Sequence, residues 1–96
     1  MPESDTPERP RAKVKIVNKK GLHARASAKV VEATARFKSH ITVKFGDSKV
    51  DADSILDLMM LAAGVGAEIE FEADGPDAEE AVNAMIALVE AKFGED

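Results

Sequence analysis

Gly21, His23 and Arg25 stand at alternate positions in "GLHAR", directly ahead of an apolar periodicity that marks a helix. An imidazole is a nucleophile, and a guanidinium offers a rigid fork of donors to phosphate oxygens. Glycine permits the tight turn that would present them. At a helix start these types describe phosphoryl chemistry. First-turn N–H groups lack intrahelical partners, and the helix dipole adds about half a positive charge there, so such ends bind anions. A phosphoryl group carried on His23 would lie against the backbone amides of Ala24, Arg25 and Ala26, with the Arg25 side chain on its oxygens. The same positive end disfavours imidazolium and keeps the ring neutral and nucleophilic. Histidine is otherwise a poor residue for closing a helix N-terminus, where Ser, Thr, Asp and Asn serve better. The alternative reading is an exposed histidine at a turn with no chemistry attached.

Lys19, Lys20 and Lys29 join Arg25 in a basic region around His23. It either attracts phosphate or an acidic protein surface, or is a solvated face. Ser54 precedes the short apolar run "ILDLMML" and reads as a helix cap, with Asp57 three residues on suggesting a capping box. Leu56, Met59 and Met60 are either core residues or a docking patch. With two histidines, His23 and His40, and no cysteine, no metal site is expected. No glycine-rich phosphate loop, Ser/His/Asp arrangement or metal-ligand spacing is present, and no cofactor is expected.

The elements that must position these residues follow from period. "AKVKIVN" alternates, Val14 and Ile16 on one face and Lys13 and Lys15 on the other, which predicts a half-buried strand. Ala26, Val30, Ala33 and Phe37 recur at helical spacing, predicting a helix over 24–37. "HITVKF" and "SKVDA" flank "GD" as a hairpin. In "AEIEFEA", Ala67, Ile69, Phe71 and Ala73 face in and three glutamates face out. "DGPD" then turns, Asp77 is expected to cap a last helix, and Ala78, Val82, Met85, Val89 and Phe93 form its buried stripe, ended by Gly94. The order is βαββαβα. The strands carry one charged face, so all helices must cover the other, giving an α+β domain with an open four-stranded antiparallel sheet. The last strand is expected between the first two, with Lys13 and Lys15 opposite its glutamates.

Composition narrows the function classes. The chain has 96 residues and a net charge of −5. Up to Lys49 it holds 12 basic and 5 acidic residues; beyond Lys49 it holds 1 and 13. An acidic chain without Trp or Tyr is a poor fit to nucleic acid. No apolar run resembles a signal peptide or a membrane span, so a cytoplasmic protein without membrane insertion is expected. Residues 1–11 hold three of the four prolines and are expected to be a flexible tail, with one domain over 12–96.

"GLHARASAKVVEATARF" is similar to the active-site segment of HPr, the histidine phosphocarrier of the bacterial phosphoenolpyruvate-dependent phosphotransferase system. The likeness continues through "ITVKFGDSKVDADSILDLMML" and "GAEIEFEADGPDAEEAVNAMIALVEAKF", and the C-terminal half resembles NPr, the nitrogen-related branch. The resemblance implies an open-faced β-sandwich of order βαββαβα. It implies that enzyme I phosphorylates His23 on Nδ1, that Arg25 assists, and that a histidine of an enzyme IIA component receives the group. It matches Ser54 to the serine that an HPr kinase/phosphorylase modifies in some bacteria. The implied protein is a monomeric carrier rather than a stand-alone catalyst, with the nitrogen-related branch favoured over sugar uptake. The competing class is a regulatory binding module that uses phosphorylation only as a switch. One departure stands beside the site: the family usually has proline where this chain has Ala26.

Overall fold

A computed structural model describes residues 9–95. In chain order it holds β1 (Arg11–Lys15), α1 (Ala24–Thr34), β2 (His40–Phe45), β3 (Ser48–Asp51), α2 (Ile55–Met60), β4 (Glu68–Asp74) and α3 (Ala78–Glu90), followed by a 3-10 turn at Lys92–Gly94. The order βαββαβα is the expected one. Of the tail expected over 1–11, residues 1–8 lie outside the described residues; Arg11 already belongs to β1.

The sheet order is β1-β4-β2-β3, with every pair antiparallel. β4 therefore lies between β1 and β2. Its alternation fixes which way the sheet faces: Ile69, Phe71 and Ala73 are each 1% exposed. On the open face Lys13 stands opposite Glu70 and Lys15 opposite Glu68. Glu70 also faces Lys44 across the β2 side. Cross-strand pairs of opposite charge each contribute roughly 0.2–1 kcal/mol. Backbone pairing runs past the end of β1, where Ile16 N–H donates to the Ala67 carbonyl at 2.9 Å and Gly66 N–H to the Ile16 carbonyl at 2.8 Å.

The helices cover the opposite face. α3 packs on β1, β4 and β2, while α1 packs against α2 and α3. Ala26, Val30 and Ala33 of α1 and Ala78, Val82, Met85 and Val89 of α3 are buried in one core with the inward residues of the sheet. Two helix ends differ from the sequence reading. α1 stops at Thr34, whose hydroxyl donates back to the Val31 carbonyl at 2.7 Å, so Phe37 packs half-buried from the following turn. α3 stops at Glu90, and Phe93 reaches the core from the turn beyond it.

Asp77 corrects a third expectation. It occupies the N-cap position of α3, but its side chain makes no capping bond. Its carboxylate instead accepts from the backbone N–H of Lys38 and of Ser39, both at 2.9 Å, and from the Ser39 hydroxyl at 2.6 Å. Three donors in one loop outcompete the single donor a cap would offer, and they tie the α1–β2 connection to the start of α3. Those bonds, the Ser39 hydroxyl's first, hold the Asp77 carboxyl below its ordinary value of 3.8.

Candidate functional site

His23 is the N-cap residue of α1, with extended backbone (φ −76°, ψ −176°) and no capping bond from its side chain. The first intrahelical bond runs from Ser27 N–H to the His23 carbonyl at 2.8 Å. The N–H groups of Ala24, Arg25 and Ala26 precede it, as an anion-binding helix start requires. Ala24 and Arg25 are exposed, whereas Ala26 is fully buried. The turn is braced from both sides. Ser27, also buried, donates its hydroxyl to the Leu22 carbonyl at 3.2 Å, and Leu22 N–H donates to the Ala63 carbonyl at 3.0 Å.

Lys19, Lys20, Arg25 and Lys29 line one depression of about 520 Å³, together with Phe93, Gly94 and Glu95. The basic region read from sequence is thus one surface beside His23, drawn from the loop and from two turns of α1.

Its far wall was not legible in the sequence. After α3 the backbone takes left-handed φ at three successive residues, Lys92 (59°), Phe93 (56°) and Gly94 (80°), and doubles back. Such a conformation costs about 1–2 kcal/mol per non-glycine residue. Burial of the Phe93 ring, 1% exposed, offsets it by roughly 1.5–3 kcal/mol. The reversal delivers Glu95 to the histidine: its Oε2 lies 2.6 Å from His23 Nε2. Its Oε1 accepts from Asn18 Nδ2 at 3.1 Å, and the same Nδ2 donates to the Gly21 carbonyl at 3.0 Å. Burial pushes the Glu95 carboxyl up, but bonds from Asn18 and His23 and the charges of His23 and Arg25 outweigh it and hold it below the usual carboxylate range. Positive charge alone was expected around the ring; the fold adds a carboxylate.

Residues 10–91 match the family model of the PTS HPr component phosphorylation site. The chain belongs to the HPr family. It is 49% identical over 80 residues to the phosphocarrier protein HPr of Cupriavidus necator, covering 83% of this chain and 90% of that protein. It is 45% identical over 82 residues to the phosphocarrier protein NPr of Shewanella violacea, covering 85% and 90%. The crystal structure of HPr-C-His from Thermoanaerobacter tengcongensis superposes with a TM-score of 0.86 at 40% identity, over 91% of this chain and 98% of that one. The fold of this HPr-family chain and that neighbour agree in the open sheet with three helices. Where the family usually has proline, Ala26 continues α1 without a break.

The remaining sequence-selected residues cluster on and around α2. Ser54 is its N-cap, and its hydroxyl accepts from Asp57 N–H at 3.2 Å, the Ser54 side of the expected box. Leu58 is the buried residue of this helix, while Leu56 (66% exposed), Met59 (40%) and Met60 (74%) stand in solvent. Ile55 and Val65, which sequence reading did not single out, extend that exposed apolar surface. His40 lies on the sheet with its Nε2 2.7 Å from Asp51 Oδ1, and no cluster able to hold a metal occurs among the described residues. Among the same residues no helix is long and apolar enough to cross a membrane.

Proposed function

We propose that this HPr-family chain accepts a phosphoryl group from enzyme I on Nδ1 of His23 and passes it to a histidine of an enzyme IIA component. The observation that carries the reading is the position of His23 at the open N-terminus of α1, with Arg25 and three lysines around the adjoining depression. The ring keeps a quarter of its surface in solvent, open to a partner's active site. The first-turn amides and the Arg25 guanidinium donate to the oxygens of the transferred group, and charge-assisted bonds of this kind are about twice as strong as neutral ones. Leu56, Met59 and Met60 form the apolar part of the docking surface, and Lys19, Lys20 and Lys29 its basic rim. The protein works as a cytoplasmic monomer whose complexes are small and transient. Ser54 is a second, regulatory phosphorylation site where the host has an HPr kinase/phosphorylase. For the branch we favour the nitrogen-related one on the likeness of the C-terminal half to NPr; overall identity does not separate the branches, at 49% to the Cupriavidus HPr and 45% to the Shewanella NPr.

Incubation with enzyme I and phosphoenolpyruvate should label His23 alone, with the acid-labile, base-stable behaviour of phosphohistidine. His23→Ala should abolish the label and leave the chain folded. Acid-stable label, or full labelling of the variant, would overturn the reading. Label that forms but never reaches any IIA component identifies a switch module instead of a carrier. Faster labelling by a sugar-type than by a nitrogen-type enzyme I rejects the branch.

A further inference from the structure

Glu95 occupies one of the two ring nitrogens of His23, and the fold goes to some length to put it there. The residue lies 72 positions along the chain from the histidine. It arrives through a reversal held open by consecutive left-handed residues and anchored by a buried phenyl ring. Its second oxygen is held by Asn18, a side chain only 2% exposed whose amide also grips the Gly21 carbonyl in the loop that presents His23. One buried amide therefore fixes both the loop carrying the histidine and the carboxylate that meets it.

We infer that Glu95 is a positioning residue that selects the nucleophilic atom of His23: by accepting from Nε2–H it reserves Nδ1 as the lone-pair nitrogen. An ionised carboxylate accepts hydrogen bonds and cannot donate, so the 2.6 Å contact requires the ring proton on Nε2. In the neutral ring the lone pair then belongs to Nδ1. The lowered pKa of Glu95 agrees with an ionised partner. During transfer the Nδ1 lone pair forms the new N–P bond while phosphorus separates from the donor's leaving atom, which keeps the electron pair of the broken bond. The ring acquires positive charge, shared through Nε2–H with the Glu95 carboxylate. No proton need enter or leave. Nε2 is at once blocked as a competing acceptor and stabilised as the charged end of the product.

This inference rests on His23 being the phosphoryl acceptor, and its test avoids enzyme I so that the two can fail separately. Phosphoramidate donates a phosphoryl group to histidine without an enzyme: the P–N bond breaks and ammonia leaves from the zwitterion as the ring nitrogen attacks. Phosphorus and nitrogen NMR of the product distinguish Nδ1 from Nε2 attachment. Wild type should be phosphorylated on Nδ1. In Glu95→Ala the share on Nε2 should rise about tenfold or more, since one charge-assisted bond no longer masks that atom. Before phosphorylation, the nitrogen shifts of the neutral ring should report the Nε2–H tautomer in wild type and a mixture in Glu95→Ala. Thermal melts of both proteins confirm that each stays folded. An Nδ1-only product in Glu95→Ala, an Nε2 product in wild type, or an unchanged tautomer would each overturn the inference, whatever enzyme I does.

Discussion

The Leu22 N–H donates to the Ala63 carbonyl at 3.0 Å and thereby joins the loop before His23 to the loop behind α2. The same carbonyl limits what can stand next door. A Cβ on Gly21 would lie 2.5 Å from the Ala63 oxygen and 2.7 Å from Gly64 Cα, and Gly21 already has φ +64°. The contact ties the loop that presents His23 to the loop that follows α2, and so links the chemical site to the proposed docking site.

Gly21→Ala is therefore expected to cost more than the about 1–2 kcal/mol of a left-handed alanine, because backbone atoms must also separate. The Leu22–Ala63 bond should lengthen, and phosphoryl transfer to His23 should slow with it. Denaturant melts and enzyme-I-dependent labelling check this; a variant as stable as wild type would show that the close approach is not required.

Arg25 is exposed and faces the depression, so Arg25→Ala should leave the melt nearly unchanged. Loss of one charge-assisted bond is worth roughly 1.5–3 kcal/mol, which lowers transfer by about one to two decades if it acts in the transition state. Stopped-flow transfer to and from His23 measures it. Equal rates in variant and wild type would remove Arg25 from the mechanism.

Asp77 gives a pH dependence with a definite sign. Its carboxyl titrates lower in the folded chain than its ordinary value of 3.8. Its bonds to Ser39 and Lys38 therefore stabilise the fold fully above that value, and the stabilisation disappears as pH falls through the folded value. Asp77→Ala should melt lower than wild type at neutral pH, and the two melting curves should converge as pH falls from neutral to well below the ordinary value of 3.8. A difference that stays constant across that range would assign the effect to packing rather than to the carboxylate.

What the sequence disclosed was local. The alternation of β4 set its inward face, and the charges of Lys13, Lys15 and the glutamates set its neighbour. The spacing of Ala26, Val30 and Ala33 set the buried side of α1, and His23 drew attention because it violates capping preference. The features that stayed hidden join distant segments. Nothing around Glu95 marks it as a partner for a residue 72 positions away, since a glutamate near a chain end reads as solvated. Asp77 sits where a cap belongs, and only tertiary structure reveals that the α1–β2 loop offers it more donors. Helix ends erred for the same reason: Phe37 and Phe93 continue an apolar periodicity, yet each reaches the core from a turn.

Ser54 combines a structural role with the proposed regulatory one, and two substitutions separate them. Its hydroxyl accepts from Asp57 N–H, so Ser54→Ala should cost about 1 kcal/mol of cap stability and leave transfer near normal. Ser54→Asp retains a capping acceptor and should stay folded. It places a negative charge beside Asp53 and Asp57 and next to Leu56, in the surface proposed to meet enzyme I. A phosphoryl group would add more, about −1.5 to −2 at neutral pH. Repulsion from an acidic docking surface should then slow His23 labelling in Ser54→Asp, most strongly at low ionic strength, where exposed charges are least screened. The measurement is the initial rate of enzyme-I-dependent labelling of both variants at two salt concentrations, with melts alongside. Rates equal to wild type for Ser54→Asp at both concentrations would leave Ser54 a helix cap and nothing more.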